Sequence, residues 1–431
     1  MLDAVLRAFR LPDVRQKILF TFAMLAVYRL VAHVPVPGVD VARLQDLFAT
    51  NQLLGLLDLF SGGSLTTFSV AALGVYPYIT AQIVMQIMQP LIPQLAELQK
   101  EGEAGRTKMA QYTRMLTVPL ALLQAYAQAT ILAREGIISS FGLFNRDTFL
   151  PTLSLILTLT TGTMFLVWLG ELITEKGIGN GISMIIFGGI VSRLPATVAQ
   201  SFATGINLII LVVMAVVGVL MVLAIVYIQE GQRRIQVQYA RRVRGNRVYG
   251  GGTTYIPLRV NSSGMIPLIF AASIMLIPGT IASYFQGAQT DWVRNFATQV
   301  VNFFGATGFG YWLMYFLLVV GFTYFYTNVI FQQQNLPETL QKQGGLIPGR
   351  RAGRETSIYL NRVLNRITLL GALFLGAVAI TPYFLGLATG SQQLSTTLST
   401  TGILIVVGVV LDTMKQLESQ LMMRNYEGFI K

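Results

Sequence analysis

Long apolar runs, separated by short polar and charged segments, dominate the pattern of this chain. A helix needs about 20 mainly apolar residues to cross the hydrocarbon core of a membrane. Runs of about that length predict ten membrane spans, at about residues 18–34, 74–93, 115–133, 150–170, 181–200, 206–229, 262–284, 311–331, 367–386 and 398–414. The pattern therefore predicts an all-α polytopic membrane protein.

The apolar pattern is interrupted just before the second span. A short piece, Ser64 to Leu73, lies between Gly62-Gly63 and Gly74, and as a helix it would be about 15 Å long. That length reaches halfway across the hydrocarbon core, and backbone broken at membrane depth must be buried in protein or line a wet cavity. We therefore expect a pathway that holds a movable half-helix, hinged at the glycines. The alternative is a re-entrant loop or a kinked helix without a special role.

Basic residues fall almost entirely on one side of the ten spans. With the N-terminus inside, 25 of the 31 Lys and Arg residues lie on the cytoplasmic side and five lie on the other. Because Lys and Arg accumulate in cytoplasmic loops, this split predicts that both termini are cytoplasmic. Ten spans also divide into two five-span halves, residues 1–200 and 201–431, and an odd number of spans places the halves in opposite orientations. We therefore expect an inverted repeat around a central pathway.

The composition excludes several classes of site. Of the 431 residues, 53% are hydrophobic and 12% are charged, which is typical of a membrane protein. The chain has no cysteine, which excludes disulfides and thiol catalysis, and its single histidine, His33, excludes a histidine-built metal site. The sequence offers no phosphate-binding loop and no catalytic constellation. We therefore expect no metal, no cofactor and no enzymatic activity, so that a partner must supply the energy for transport.

The middles of the ten spans carry essentially no ionisable side chains. Ion-coupled transporters commonly place carboxylates there, whereas an apolar constriction can close by dewetting. Polar character comes instead from glutamines spaced by four in the second and third spans, Gln82, Gln86, Gln124 and Gln128. They predict either ordinary hydrogen bonds between helices or a polar seam that opens and closes again.

Two cytoplasmic loops, at about residues 230–261 and 332–365, are rich in arginine. Residues 231–239 alternate apolar and polar positions, which predicts a strand, and Val248-Tyr249 begins a possible return strand of a hairpin-like loop. Guanidinium groups bind phosphate and carboxylate groups in a bidentate manner. The loops therefore predict a docking surface for an acidic partner, or they merely orient the chain in the membrane. The docking candidates are Arg233, Arg234, Arg241, Arg242, Arg244, Arg247, Arg350 and Arg351.

A series of short motifs, in order along the chain, resembles the SecY/Sec61-alpha family of protein-conducting channels. They include Phe60-Ser61-Gly62-Gly63 with Ala72-Leu73-Gly74, Lys100-Glu101-Gly102-Glu103, Trp168-Leu169-Gly170-Glu171, Gly177-Ile178-Gly179-Asn180-Gly181, Gly231-Gln232-Arg233-Arg234 and Pro348-Gly349-Arg350-Arg351. The motifs extend from about residue 58 to residue 412. The resemblance therefore covers most of the chain.

The resemblance implies an hourglass-shaped pore with a plug, a ring and a lateral gate. The half-helix at about residues 59–73 would be the plug, with Gly62, Gly63, Ser64, Phe68, Leu73 and Gly74 as plug and hinge residues. A ring of aliphatic side chains at the waist would consist of Ile79, Ile83, Ile186, Ile190, Ile274 and Ile405. The lateral gate would lie between the second and third spans and the seventh and eighth, near Gln82, Gln86 and Gln124.

The resemblance also implies a function and a set of partners. The chain would pass unfolded secretory polypeptides across the cytoplasmic (inner) membrane and release hydrophobic segments sideways into lipid. The expected partners are SecE-type and SecG-type small membrane subunits, the SecA motor ATPase, the ribosome, secretory preproteins with their signal peptides, and anionic lipids. The alternative from another class is a secondary transporter of a small solute with inverted-repeat architecture.

Overall fold

A helix lies at each of the ten predicted spans in a computed structural model of the chain. The structure describes residues 11–40, 43–44, 58, 61–89, 91–138, 141–142, 145–203, 208–239, 242–244, 247–249, 252–286, 290–305, 308–351, 353–389 and 400–427. In chain order the helices are α1 (Pro12–Val31), α2 (Tyr76–Met88), α3 (Pro93–Lys100), α4 (Glu103–Arg134), α5 (Arg146–Lys176), α6 (Gly181–Ala203), α7 (Leu208–Glu230), α8 (Ile266–Phe285), α9 (Asp291–Phe304), α10 (Phe309–Gln334), α11 (Leu336–Lys342), α12 (Arg354–Thr389) and α13 (Thr400–Glu427). The shorter helices α3, α9 and α11 lie between spans.

The long helices have the length and composition of membrane spans. Within the described residues, α4, α5, α8, α10 and α12 each contain a stretch long and apolar enough to cross a membrane, and α6 and α7 contain shorter apolar stretches. Large apolar side chains of α7 are exposed, among them Val212, Val216, Leu220 and Leu223. An exposed apolar surface of this kind needs lipid or a protein partner around it. The helical, multi-pass membrane fold predicted from the sequence is thereby confirmed.

The helices pack so that both halves of the chain contribute to one core. Helix α2 packs on α4 and α8, α5 packs on α4 and α6, and α13 packs on α6 and α7. The largest hydrophobic cluster of the described residues takes side chains from α1, α2, α5, α6, α7, α8, α10, α12 and α13. Residues that are far apart in the sequence therefore meet in this cluster, which we call the central cluster.

The predicted half-helix between residues 64 and 73 is wrong in its secondary structure, because these residues form consecutive turns. The amide of Val36 donates to the carbonyl of Phe68, and the amide of Val70 donates to the carbonyl of Val34, so the segment pairs with the chain that follows α1. Phe68 has a φ of +42°, a left-handed conformation that cannot continue an α-helix. Bonds to a neighbouring segment have replaced the bonds of a helix.

Five strands form on the arginine-rich loops. Strand β1 (Gln232–Tyr239) pairs antiparallel with β4 (Thr253–Arg259), and β2 (Arg242–Arg244) pairs antiparallel with β3 (Arg247–Tyr249). The predicted return strand at 248–249 therefore pairs within the tip of the loop, whereas the partner of β1 begins four residues later. Strand β5 (Gly345–Leu346), from the second loop, pairs with the other edge of β1. This three-stranded sheet joins the two basic loops.

Candidate functional site

The isoleucines predicted for the ring all belong to the central cluster. Five are buried, and Ile274 is half-buried against the same cluster. They come from four helices: Ile79 and Ile83 from α2, Ile186 and Ile190 from α6, Ile274 from α8 and Ile405 from α13. The paired isoleucines are four residues apart, so each pair lies on one face of its helix. The structure thus brings together apolar side chains that the sequence separates by up to about 320 residues.

The segment of residues 61–75 precedes α2 directly and packs against this cluster, and we call it the plug segment. Its residues Ala71 and Val75 belong to the central cluster. Phe68, which is fully buried, and Leu73 belong to a second cluster with side chains of α4 and α5. A Cβ at Gly162 of α5 would overlap the carbonyl of the plug segment at position 70, so only glycine permits this approach. The plug segment is therefore enclosed by apolar contacts on more than one side.

The start of the plug segment is fitted against α1 and α6. Gly62 has a φ of +65°, and a Cβ there would overlap the Tyr28 hydroxyl and the backbone of Gly189. Tyr28 donates a hydrogen bond of 3.1 Å to the carbonyl of Ser61, and Arg29 donates one of 2.9 Å to the carbonyl of Gly62. Gly62 is thus required both for its backbone conformation and for the close approach of α6.

A buried carboxylate lies at the same place. Asp58 is 1% exposed and forms an ion pair with Arg193 of α6. Its Oδ1 also accepts hydrogen bonds from the Ser61 hydroxyl and from the amides of Leu65 and Thr66. The Asp58 carboxylate is therefore held by one ion pair and three hydrogen bonds. The described residues include no group of three His, Cys, Asp or Glu side chains that could hold a metal ion.

Helices α2 and α8 are joined at the predicted lateral gate. The Tyr76 hydroxyl of α2 donates a hydrogen bond of 2.8 Å to the carbonyl of Ser273 in α8, and both residues are buried. The Gln86 side chain of α2 lies within hydrogen-bonding reach of the Tyr326 hydroxyl in α10, and Phe270 of α8 packs edge-on against the Tyr326 ring. Contacts between the second, seventh and eighth spans therefore include both polar and aromatic groups.

The predicted gate glutamines share one feature of their surroundings. Gln82, Gln86 and Gln124 are all half-buried. Among the described residues, the amide oxygens of Gln86, Gln124 and Gln128 are enclosed without a hydrogen-bond partner. Buried polar atoms normally have a partner, so these oxygens mark a place where the packing of the helices leaves hydrogen bonds unmade.

The two basic loops share a small hydrophobic core of their own. Ile235 and Val237 of β1 pack with Ile347 of the second loop and with Leu360 and Leu364 of α12. Of the predicted docking arginines, those whose side chains the structure describes are exposed, namely Arg233, Arg234, Arg350 and Arg351. Arg242, Arg244 and Arg247 lie in the short strands β2 and β3, and Arg241 lies outside the described residues.

The loop around Arg351 is fixed to the start of α12. The amide of Arg351 donates a hydrogen bond to the Glu355 carboxylate, and its carbonyl accepts one from the Thr356 hydroxyl. Arg350 stacks its guanidinium over the Tyr359 ring at 5.4 Å from the ring centroid. The two arginines are therefore presented on ordered backbone, next to β1, rather than on an unstructured loop.

Comparison with known proteins decides the family. The family model described as SecY matches residues 69–414. The Thermotoga maritima protein described as "Protein translocase subunit SecY" is 44% identical, over 100% of this chain and 98% of its own length. A protein of the same description from Corynebacterium glutamicum is 42% identical over the whole of both chains. The chain belongs to the SecY family.

Solved structures with the same fold include channels of the SecY family. One, described as "The structure of a protein conducting channel", has a TM-score of 0.61 at 16% identity and covers 94% of this chain and 92% of its own. Another, described as "Sec61 in the Canine ribosome-channel complex from the endoplasmic reticulum", has a TM-score of 0.60 with the same identity and coverage. At that identity the likeness establishes the fold.

Within this SecY-family fold, the sequence reasoning missed the residues that fasten the plug segment and the gate. The sequence could have indicated Asp58 and Arg193, because a lone carboxylate in an apolar stretch of a membrane protein is by default a candidate functional residue. Tyr76 and Ser273 gave no comparable signal, since a tyrosine and a serine are common in membrane helices. Only the packing of α2 on α8 reveals their hydrogen bond.

Proposed function

We propose that this chain is the channel subunit that passes unfolded secretory polypeptides across the cytoplasmic membrane and releases hydrophobic segments sideways into lipid. The observation that carries the proposal is the meeting of the six ring isoleucines in one cluster, with the plug segment packed against it. Residues 1–200 and 201–431 are then the two inverted halves that close around the pore. The full coverage of relatives described as translocase subunits supports the same function.

The ring isoleucines suit a seal that yields to a passing chain. Their β-branched side chains are stiff and present no polar atom, so a polypeptide of any sequence finds no specific partner there. When no chain is present, an apolar constriction excludes water and ions by dewetting. The plug segment adds a second barrier, held by the apolar contacts of Phe68 and Leu73.

Sideways release uses the boundary between α2 with α4 and α8 with α10. Its contacts include the hydrogen bond from Tyr76 to Ser273 and the approach of Gln86 to Tyr326. A hydrophobic signal that enters the boundary replaces these few contacts with its own apolar surface. A stronger hydrophobic signal therefore opens the gate more readily, and the enclosed glutamine oxygens are available to the backbone or side chains of an entering segment.

The basic loops are the docking surface for the partners that supply energy. A SecA-type motor and the ribosome both present acidic or phosphate groups that exposed arginines can bind. Arg233 and Arg234 lie on β1, and Arg350 and Arg351 follow β5, which pairs with the C-terminal end of β1, so both pairs of arginines belong to loops joined by one sheet. The solved Sec61 relative was observed in a ribosome complex. The chain itself is passive in this proposal.

The membrane-facing surface accommodates the remaining partners. The exposed apolar side of α7 is suited to small SecE-type and SecG-type membrane subunits or to lipid. At the cytoplasmic end of α12, Arg362 and Arg366 are exposed on one face between the exposed Ile358 and Leu369. Such a stripe fits the headgroup and acyl chain of an anionic lipid. Both termini are placed in the cytoplasm, on the side that carries most of the Lys and Arg residues.

Reconstitution of the chain with its small membrane subunits, the motor and ATP tests the proposal against a solute transporter. A preprotein added outside the vesicles should become resistant to protease only when the motor and ATP are present. A radiolabelled panel of sugars, amino acids and ions should not accumulate. Solute accumulation without protease protection of the preprotein would establish the transporter and reject the channel.

A further inference from the structure

The start of the plug segment is held by an ion pair, in addition to hydrogen bonds and close backbone contacts. This ion pair joins Asp58, three residues before the plug segment, to Arg193 of α6. Asp58 is almost fully buried, whereas the side chain of Arg193 is 37% exposed. Other contacts between the two regions include the close approach of Gly62 to Gly189 and a contact of the arginine side chain with Gly63.

The two oxygens of the Asp58 carboxylate have different roles. Oδ1 accepts bonds from Ser61, Leu65 and Thr66, all of which belong to the plug segment and would move with it. Oδ2 faces Arg193, which belongs to α6 and would stay behind. A displacement of the plug segment as a unit therefore keeps the first set of bonds and breaks the ion pair.

Breaking such a pair is unfavourable for a physical reason. A buried carboxylate that loses its partner keeps the cost of its desolvation and loses the attraction that offset it. A carboxylate that has left Arg193 is therefore unfavourable until Asp58 has reached water. The plug segment is expected to have two positions, seated and released, with few states between them.

We propose that the Asp58–Arg193 ion pair is the latch that keeps the plug segment seated, with both side chains acting as positioning residues for the seal. This inference rests on the proposed function of the chain as a channel. The latch sets how readily the idle channel opens, and it takes no part in contacting the translocating polypeptide. Arg29 and Tyr28 of α1 also stabilise the seated position of the plug segment, through their hydrogen bonds to its backbone carbonyls.

The test measures how often the plug segment leaves its seat. The chain has no native cysteine, so a Ser69→Cys substitution places one thiol at a fully buried position in the plug segment. The complete channel complex in proteoliposomes is exposed from the external side to a membrane-impermeant maleimide, and the labelling rate is compared between variants. Ion conductance of the same complexes in planar bilayers gives an independent readout of the seal.

Arg193→Gln and Asp58→Asn should each raise the labelling rate at position 69 and the idle ion conductance, roughly tenfold or more. The effect of the double variant should be smaller than the sum of the two single effects, because both substitutions remove the same interaction. Arg294→Gln is the matched control, since it removes an arginine from an exposed ion pair with Asp291 on the short helix α9. That control should label at the rate of the Ser69→Cys parent.

If Arg193→Gln labels and conducts at the parental level, the latch is overturned. It is also overturned if the effect of the double variant equals the sum of the two single effects. Arg193→Gln keeps the result decisive if Asp58→Asn does not fold, because Arg193 is partly exposed and its removal leaves the internal bonds of Asp58 in place. Protease protection of a preprotein by the parent is measured in parallel. Loss of that protection in the parent would reject the proposed function, whereas the labelling comparison alone decides the latch.

Discussion

The hydroxyl of Tyr76 donates a 2.8 Å hydrogen bond to the carbonyl oxygen of Ser273, and this bond joins the second span to the seventh. Both residues are buried. The carbonyl belongs to a helix and lies in a membrane segment, where water cannot readily replace the tyrosine. We therefore propose that this bond stabilises the closed state of the lateral gate and that an entering hydrophobic segment must break it.

Tyr76→Phe is expected to open the gate more readily. The substitution keeps the ring and removes the donor, which weakens the closed state by about 1 kcal/mol, or roughly fivefold in its population. Secretion of a reporter with a weakened signal sequence should increase accordingly. Tyr227→Phe, at a tyrosine that is 80% exposed on α7, is the control and should leave secretion unchanged. Equal secretion by Tyr76→Phe and the parent would show that the bond does not hold the gate.

Gln124→Leu is expected to have the opposite effect. Its amide oxygen is enclosed in the closed structure and lacks a partner among the described residues. Replacing an unsatisfied polar group by an apolar one of similar size stabilises the closed state, by about 1 kcal/mol or more. A weak signal should then be secreted less well while a strong signal is unaffected. Gln332→Leu, at an exposed glutamine of α10, is the matched control; an unchanged dependence on signal hydrophobicity in Gln124→Leu would contradict the prediction.

Gly62→Ala is expected to unseat the plug segment and raise the ion conductance of the idle channel. The added methyl group would overlap the Tyr28 hydroxyl and the Gly189 backbone. Gly38→Ala is the matched control, because Gly38 also has a positive φ, at +89°, but a Cβ added there would meet no described atom within 4 Å. Both variants share a cost of about 1–2 kcal/mol for left-handed backbone. Conductance that rises equally in both would assign the effect to strain and not to the fit against α6.

The sequence predicted the positions of the long helices because a hydrophobic run of spanning length has few alternatives in a membrane. It predicted β1 for a similar reason, since the alternation of polar and apolar residues from Arg234 to Tyr239 leaves little ambiguity. The prediction of a half-helix at 64–73 was wrong because the segment closes short turns and pairs with residues 34–36, a partner that no local pattern reveals. The same holds for β5, which has only two residues and pairs across more than one hundred positions of the chain.

In the candidate site, too, the sequence indicated some residues and could not indicate others. Ile79 with Ile83 and Ile186 with Ile190 have helical spacing, but their apolarity alone is equally typical of lipid-facing or core positions. It was the resemblance of the surrounding motifs that pointed to them, and the packing of four helices then placed them in one cluster. Asp58 and Arg193 are 135 positions apart, so their pairing could not be predicted before the packing of α6 on the plug segment was known.

The double substitution Arg233→Ala with Arg234→Ala is expected to weaken ribosome binding and its dependence on salt. If both guanidinium groups contact RNA phosphates, the slope of log affinity against log salt concentration should fall by about 1.5 to 2. Arg43→Ala is the control, because Arg43 is exposed and the distribution of basic residues predicts that it lies on the opposite side of the membrane. A slope that matches the parent would show that these two arginines do not contact the ribosomal phosphates.

Passage of a translocating polypeptide through the isoleucine ring is the central claim and can be tested directly. Because the chain has no cysteine, single Ile83→Cys and Ile405→Cys variants can be paired with a preprotein that carries one cysteine and is stalled halfway through the reconstituted channel. Val84→Cys, at an exposed position of α2 that helical geometry turns about 100° away from Ile83, is the matched control. We predict disulfides to the stalled chain from positions 83 and 405 and none from position 84. Translocation that proceeds with no disulfide at 83 or 405, or with one only at 84, would contradict the passage of the chain through this ring.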